Sequence, residues 1–424
     1  MLDRPAAFRL HPLHRLWRLF PSRARRRVMA HAVALIAPRP DQNPPAALHG
    51  VAVGGELLHA SGLGEGARLM LRGVEHLGLP AWPVDVGAPV DVGARVDGQR
   101  VADVEIPGGA TPAGDPPPPG APLVLHVNAP LLPLALLRLG RGMRRGRRII
   151  GYWAWELPSV PPDWRAGVPF VHEIWVPSRF TAAALEPLLP GRVRVVPHPL
   201  AITQPIAEPD RPGFGLPPDV VTVLVSFNLA SSFERKNPLA AIAAFRAAFG
   251  DRNDRLLVIK VGYPEHFPAD LVRLRDAVAG AHNIRLDAGT LSPCRSRALT
   301  ASVDIVLSLH RSEGFGLVPA EAMLLGKPVI ATGWSGNMDF MDTTCAVPIG
   351  YRLVPVCDPR GVYDIPGAVW AEADLDEAVV QLLRLADDPT LRAAMGVRAR
   401  AAAMARLTTE PLAEALRGLG LPVP

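Results

Sequence analysis

The sequence predicts an α/β protein built from two parallel-sheet units that face each other across a cleft. Three observations carry that expectation. Short apolar runs alternate with amphipathic helical stretches along most of the chain, the pattern of strands covered on both faces by crossover helices. The alternation stops at a proline-rich connector, "VVPHPLAITQPIAEPDRPGFGLPPD" at 195–219, and then restarts. The chain has 424 residues, more than one core ordinarily organises, so two domains of roughly 150–200 residues are expected.

Residues 1–45 read as a basic arm, with nine arginines among the first forty residues against one acid, Asp3. The first unit, 46–200, has strand-like runs at 50–53, 123–127, 149–153, 173–176 and 193–196, with helices at 64–77 and 181–188. Within it, 86–120 contains "IPGGATPAGDPPPPGAP", a Pro/Gly loop. A linker at 201–219 leads to the second unit, 220–390. There strand 221–227 feeds helix 237–249, and strand 255–261 feeds helix 268–280. Strand 283–287, helix 294–302, strand 303–308, helix 317–326 and strand 328–332 follow. Asp374 opens the next helix as its N-cap. The segment 391–424 is helical and is expected to return to the first unit. Ligands of such open sheets bind beyond the carboxyl ends of the strands.

Composition removes several classes. Apolar content of 49% with 20% charged residues suits a soluble globular chain, and no run approaches the ~18 apolar residues of a membrane span. The basic N-terminus lacks the cleavage site of a signal peptide. Cys294, Cys345 and Cys357 have neither metal-site spacing nor a disulfide pattern, which points to a reducing, cytoplasmic setting. Arg138, Arg141, Arg144, Arg145, Arg147 and Arg148 follow the apolar run "APLLPLALLRL". Together with the arm they suit an anionic membrane surface at the inner face of the plasma membrane, or equally a solvated basic face. Nucleic acid is not expected, because no stacking aromatics interleave these clusters. Without a Walker loop, H-E-x-x-H or paired C-x-x-C, no metal or cofactor is expected.

The densest chemistry lies in "SEGFGLVPAEAML". Gly314, Phe315 and Gly316 form a turn before a helix whose first-turn Pro319 is tolerated there. The backbone N–H groups of Gly316 and Leu317 then make a phosphate seat. Glu313 before the turn and Glu321 within the helix are carboxylates placed to accept sugar hydroxyls. Helix-dipole and loop roles explain each acid separately, but not both acids together with the two glycines. Arg235 and Lys236, in "SFNLASSFERKNPL", stand at another strand's carboxyl end, where cations can stabilise a leaving diphosphate. In the first unit, "SGLGEGARLM" brings Gly62 and Gly64 to a turn that a ligand could approach closely, or that is simply tight. His126 and Asn128, in "LHVNAP", end a strand facing the cleft, although a histidine there also serves as a satisfied core residue. Glu156, in "GYWAWELP", ends the next strand beside Trp153 and Trp155, which suit core packing or sugar stacking equally.

These residues resemble the retaining GT-B glycosyltransferases of family 4. Glu313 and Glu321 look like that family's E-x7-E motif. "ERKNPL", "LVIK", "LHVNAP", "GYWAWELP" and "SGLGEGAR" are similar to a bacterial branch acting on cell-surface polysaccharides, such as lipopolysaccharide. The similarity spans roughly residues 49–400. It implies two Rossmann-like doubly wound domains, an acceptor domain first and a nucleotide-sugar donor domain second, with the C-terminal helix packed back on the first. It also implies that Glu321 binds the nucleotide ribose and Glu313 the donor sugar. Gly316, Leu317, Lys236 and Arg235 would hold the diphosphate, with Gly314 and Phe315 in the same turn. His126 would lie beside donor sugar and acceptor, with Gly62 and Gly64 near phosphate or acceptor. One departure is "NLASSFE", where the family often carries an arginine before the lysine. The implied reaction is metal-independent, retaining hexosyl transfer, for instance from GDP-mannose, to a saccharide or lipid-linked acceptor. A sugar phosphorylase, a nucleotide-sugar epimerase or a non-catalytic membrane-surface partner are the alternatives on this architecture.

Overall fold

The computed structural model of the chain describes residues 22–44, 46–59, 61–87, 117–203 and 207–424. The arm's residues 1–21 and the Pro/Gly stretch 88–116 lie outside the described residues.

Two parallel six-stranded sheets form the frame. The first contains β1 (Val51–Gly55), β2 (Ala81–Asp85), β3 (Leu123–Leu125), β4 (Ile149–Tyr152), β5 (Glu173–Val176) and β6 (Val193–Val195), in the order β2-β1-β3-β4-β5-β6. The second contains β7 (Val221–Asn228), β8 (Arg255–Gly262), β9 (Ile284–Ala288), β10 (Ile305–Ser308), β11 (Val329–Thr332) and β12 (Val347–Ile349), in the order β12-β11-β10-β7-β8-β9. The inner strands are mostly apolar and buried, β4 and β11 along their whole length, because helices cover both faces. This is the doubly wound pair that the alternating pattern predicts.

The switch points put the chemistry together. β7 lies between β10 and β8, and β10 between β11 and β7. The turns leaving β7, β10 and β11 therefore emerge side by side at one sheet edge. In the first sheet, β3 and β4 are neighbours in register from Leu123 and Ile149, so the turns that follow them emerge together as well.

Four features differ from the sequence reading. Part of the basic arm is a helix, Ser22–Ile36. β2 contains Pro83 and is nevertheless a strand, which its position at the sheet edge allows. An antiparallel hairpin, β13 (Tyr351–Pro355) and β14 (Val369–Ala373), occupies a region where the sequence suggests no element. Finally, the helix Pro389–Arg406 stays on the second unit, with Ala399 and Ala403 buried beside Met323 and Val329. Gly396 permits that packing, since a Cβ there would lie 2.1 Å from the Gly326 carbonyl oxygen. The helix Glu410–Gly418 and the residues after it return to the first unit, burying Leu412, Ala415, Leu416, Leu419 and Leu421 with Met70, Leu71 and Val74.

The second arginine cluster separates by role. Arg138, Arg141 and Arg145 are exposed. Arg147 is buried and donates to the carbonyls of Pro117, Pro118 and Ala121, and Arg148 pairs with Glu173 at 3.0 Å. Two of the six thus serve the fold.

Candidate active site

The turn after β10 is shaped by what presses on it. Gly316 adopts φ +100°, a left-handed conformation that a side chain would strain, and it caps the helix Leu317–Leu324. A Cβ on Gly314 would lie 2.9 Å from the Trp155 carbonyl oxygen of the first unit. Ser178 Oγ donates to the Gly314 carbonyl at 2.6 Å, and Thr181 Oγ1 lies 3.2 Å from the same oxygen. The first unit thus grips the turn directly.

Glu313 is the centre of the site. It is 7% exposed, receives a hydrogen bond from Lys236 Nζ at Oε1, and has Arg235 Nη1 at 3.1 Å from Oε2. Its backbone N–H donates to Ser335 Oγ at 2.8 Å, while its carbonyl accepts from the Gly336 N–H at 2.9 Å. Burial pushes its carboxyl upward, but Lys236, Arg235 and, to a lesser degree, His310 outweigh burial and hold it at about 2. Burial lowers Lys236, an effect that Glu313 opposes and Arg235 reinforces. The site therefore holds an ionised carboxylate between two cations in a dry setting.

Those two cations differ in availability. Arg235 is 3% exposed; Nη1 donates to the Ser312 carbonyl at 2.8 Å and Nη2 to the Ser231 carbonyl at 2.9 Å. Its remaining neighbours are Glu156, 3.7 Å away, and the Tyr363 ring, whose centroid is 5.7 Å from the guanidinium carbon. Burial opposes its charge, yet Tyr363, Glu156 and Glu313 together raise its pKa further. Both of its terminal nitrogens thus donate to protein groups, while Nε has no partner among the described residues. The Lys236 side chain keeps 17% of its surface exposed.

A second row of polar residues, not visible in the sequence reading, fixes Glu313 from behind. Asn337 Nδ2 donates to the Thr332 carbonyl at 3.0 Å, which turns Oδ1 toward His310 Nε2 at 3.1 Å. His310 is fully buried, its Nδ1 lies 3.0 Å from Ser308 Oγ, and burial lowers its pKa. Ser335, which accepts from Glu313, holds φ +81°, and Ser232 and Asn237 beside the cations also have positive φ. Such strain persists only where surrounding contacts over-determine it.

The remaining expected residues lie in several places. Glu321 is half-buried in the helix Leu317–Leu324, just past its first turn. Leu317 opens that helix, whose first N–H groups lack intrahelical partners. The Phe315 ring is buried between Phe340 and His198, so only its backbone can border the turn. Ser61 Oγ caps the helix Gly62–His76 by accepting from the Gly64 N–H at 3.0 Å. A Cβ on Gly64 would lie 2.5 Å from the Glu56 carbonyl oxygen, whereas Gly62 faces open space. Close packing accounts for Gly64 but not for Gly62.

Three first-unit residues depart from expectation. His126 is enclosed rather than open. It is 1% exposed, stacked 4.2 Å from Tyr152 with Nε2 3.4 Å from Met70 Sδ, and burial holds its pKa well below the ordinary value. Its Nδ1 is buried without a hydrogen-bond partner among the described residues. Asn128 Oδ1 accepts from the Ala154 N–H at 2.9 Å, tying the ends of β3 and β4 together. Glu156 turns to the second unit: Oε2 accepts from the Tyr363 hydroxyl at 3.0 Å, and its carbonyl accepts from Ser312 Oγ.

Among the described residues, no group of His, Cys, Asp and Glu side chains could hold a metal ion, and no helix is long and apolar enough to cross a membrane.

Solved structures share this architecture at low identity. A glycosyltransferase from Rickettsia africae superposes with a TM-score of 0.57 at 11% identity, over 88% of this chain and 100% of that one. Anabaena HepE, solved in complex with UDP and glucose, gives 0.56 at 14% identity, over 87% and 100%. S. aureus TarM gives 0.50 at 12% identity over 71% of this chain, which spans 55% of the length of TarM. These likenesses establish the GT-B fold. No curated protein sequence matches the chain. The family described as "Family 4 Glycosyltransferase in conflict systems" matches residues 183–405. That match takes in β7 to β12, the short helix Phe233–Lys236 and both glutamates, more than half of the chain, which belongs to this family of glycosyltransferases.

Proposed function

We propose that the protein is a retaining, metal-independent glycosyltransferase that moves a hexose from a nucleotide-diphosphate sugar to a saccharide or lipid-linked acceptor. The observation that carries this reading is the buried, ionised Glu313 held against Lys236 beside a helix N-terminus. In it, Glu313 accepts donor-sugar hydroxyls, Glu321 the ribose hydroxyls, and the Gly316–Leu317 backbone and Lys236 take the diphosphate. Charge grows on the leaving diphosphate in the transition state, so a preorganised cation and helix N–H groups lower the barrier there. The leaving phosphate takes the acceptor's proton on the same face, which retains the anomeric configuration. Arg235 acts indirectly, by holding Glu313.

GDP-mannose and UDP-hexoses are both candidates; the HepE structure contains UDP and glucose. Exposed Leu35 and Ile36 at the end of the helix Ser22–Ile36, with exposed Arg138, Arg141 and Arg145, favour a peripheral location on an anionic membrane.

The test is a thermal-shift screen of nucleotide sugars, since a ligand bound only by the folded chain raises its melting temperature. Any hit is then incubated with acceptor, with inorganic phosphate or alone, with and without EDTA, and the product anomer is read by NMR. Transfer with retention, insensitive to EDTA, is expected. Phosphate-dependent turnover would indicate a phosphorylase, and conversion of the donor alone an epimerase. No shift with any nucleotide would favour a non-catalytic role.

A further inference from the structure

The loop 356–368, between β13 and β14, is anchored to both units. Arg360 fixes it to the second: Nη1 donates to the Leu229 carbonyl at 2.6 Å, Nη2 pairs with Asp270, and the guanidinium carbon lies 4.0 Å from the Phe267 ring centroid. Tyr363, shortly after, fixes it to the first. Its ring lies 5.3 Å from that of Trp155, within the core that also holds Trp153 and Trp164. The connection between the anchors is stiff, because the Asp358 carboxylate accepts from the Val362 N–H at 2.7 Å and the Tyr363 N–H at 3.0 Å.

The Tyr363 hydroxyl then meets the site. It donates to Glu156 Oε2 at 3.0 Å, and Glu156 Oε1 lies 3.7 Å from Arg235 Nη2. Glu156 belongs to the first unit, Arg235 and Tyr363 to the second. Two carboxylates, Glu156 and Glu313, balance two cations, Arg235 and Lys236. Arg235 thus has Ser231, Ser312 and Glu313 from its own unit as direct partners, with Glu156 and the Tyr363 ring as its further neighbours. Water reaching the guanidinium would weaken its attraction for Glu313.

We infer that Glu156 and Tyr363 are positioning residues that latch the two units together over Arg235 and fix its guanidinium against Glu313 for the transfer step. The inference rests on the glycosyl-transfer reading of Glu313. In this role both residues act through Arg235.

The test uses the full chain. Glu156→Lys sets a cation beside Arg235, and Tyr363→Phe removes only the hydroxyl. By solution scattering without ligand, E156K is expected to show a larger radius of gyration than the wild type, with Y363F between them. If E156K fails to fold, Y363F alone carries the comparison. Titrations with UDP and GDP are expected to give wild-type affinities in Y363F. With whichever nucleotide sugar the wild type uses, kcat of Y363F is expected to fall about tenfold or more at unchanged donor KM, the factor for a lost hydrogen bond to a charged group. Scattering identical to the wild type overturns the latch. An unchanged kcat removes its role in transfer, and a raised kcat would mark it as a contact of an idle form. If the wild type turns over no nucleotide sugar, the transfer reading fails, while scattering still decides whether the latch exists.

Discussion

His310 Nε2 lies 3.1 Å from Asn337 Oδ1, and through this contact the turn after β11 braces the turn that carries Glu313. Asn337 also donates to the Thr332 carbonyl, and its Oδ1 lies 3.4 Å from Ser335 Oγ. Asn337→Ala is therefore expected to leave several buried polar groups unpaired, at a cost of about 1–3 kcal/mol each. Chemical denaturation would measure the loss, and transfer activity should fall with it because Glu313 loses its brace. A variant as stable and active as the wild type would remove this network from the site.

Glu313→Gln keeps the shape and removes the charge. It leaves Arg235 and Lys236 without their shared counter-ion, a change that typically costs about 3–5 kcal/mol when a buried pair is broken. Transfer should drop by about 10²–10³, the range for a lost electrostatic contact to the transition state. Lys236→Ala should abolish transfer while leaving a folded chain, as circular dichroism would report. Full activity in both variants would discard the site.

Acidity should act through the buried histidines, of which His198 is one, and through Glu313. His198 is buried and held at about 4 against an ordinary 6.5, chiefly by desolvation. Between those values the unfolded chain binds a proton that the folded chain refuses, so stability falls as pH drops from 6.5 to 4, by roughly 3 kcal/mol. Glu313, held at about 2 against an ordinary 4.5, adds a second decline that is absent above pH 4.5 and completes as pH falls through 2. His198→Phe should shrink the first decline, to which the buried His126 and His310 also contribute, and Glu313→Gln the second, in denaturation curves taken across pH.

Gly336→Ala probes the tightest backbone approach in the site. A Cβ there would lie 2.3 Å from the Gly314 carbonyl oxygen, a clash with backbone that no rotamer relieves. The turn 313–316 must shift, with a stability loss of about 1–3 kcal/mol. Nucleotide-induced thermal shifts should shrink or vanish. An unchanged shift would mean that this turn does not seat the ligand.

Much of the frame was legible because apolar strands and capped helices write local patterns. β5 begins and ends where the sequence places it, and Ser178 and Asp374 cap their helices as their residue types suggest. Glu313, Lys236 and Arg235 could be nominated because each lies shortly beyond the carboxyl end of a strand, and parallel topology gathers strand ends. Their division of labour could not. Arg235 and Lys236 are adjacent in the chain, and only tertiary contacts make one a brace and leave the other partly open. Tyr363 lies in a loop with no periodicity, far in sequence from Glu156, so its hydroxyl left no local signal. His126 stayed ambiguous for the opposite reason, since a strand-end histidine reads alike whether it faces a cleft or a core. β2 was hidden by Pro83, which only an edge position tolerates.

The return of the helix Glu410–Gly418 has a consequence for how the chain is made. Leu412, Ala415 and Leu416 complete the core around Leu71 and Val74, so the first unit emerges from the ribosome with an apolar face it cannot yet cover. At roughly 5–20 residues per second, the roughly 210 residues between Leu200 and Glu410 leave that face bare for about 10–40 s. During synthesis the earlier-made half therefore waits for the later one, and this interval is when nascent chains would be most open to chaperone capture or aggregation.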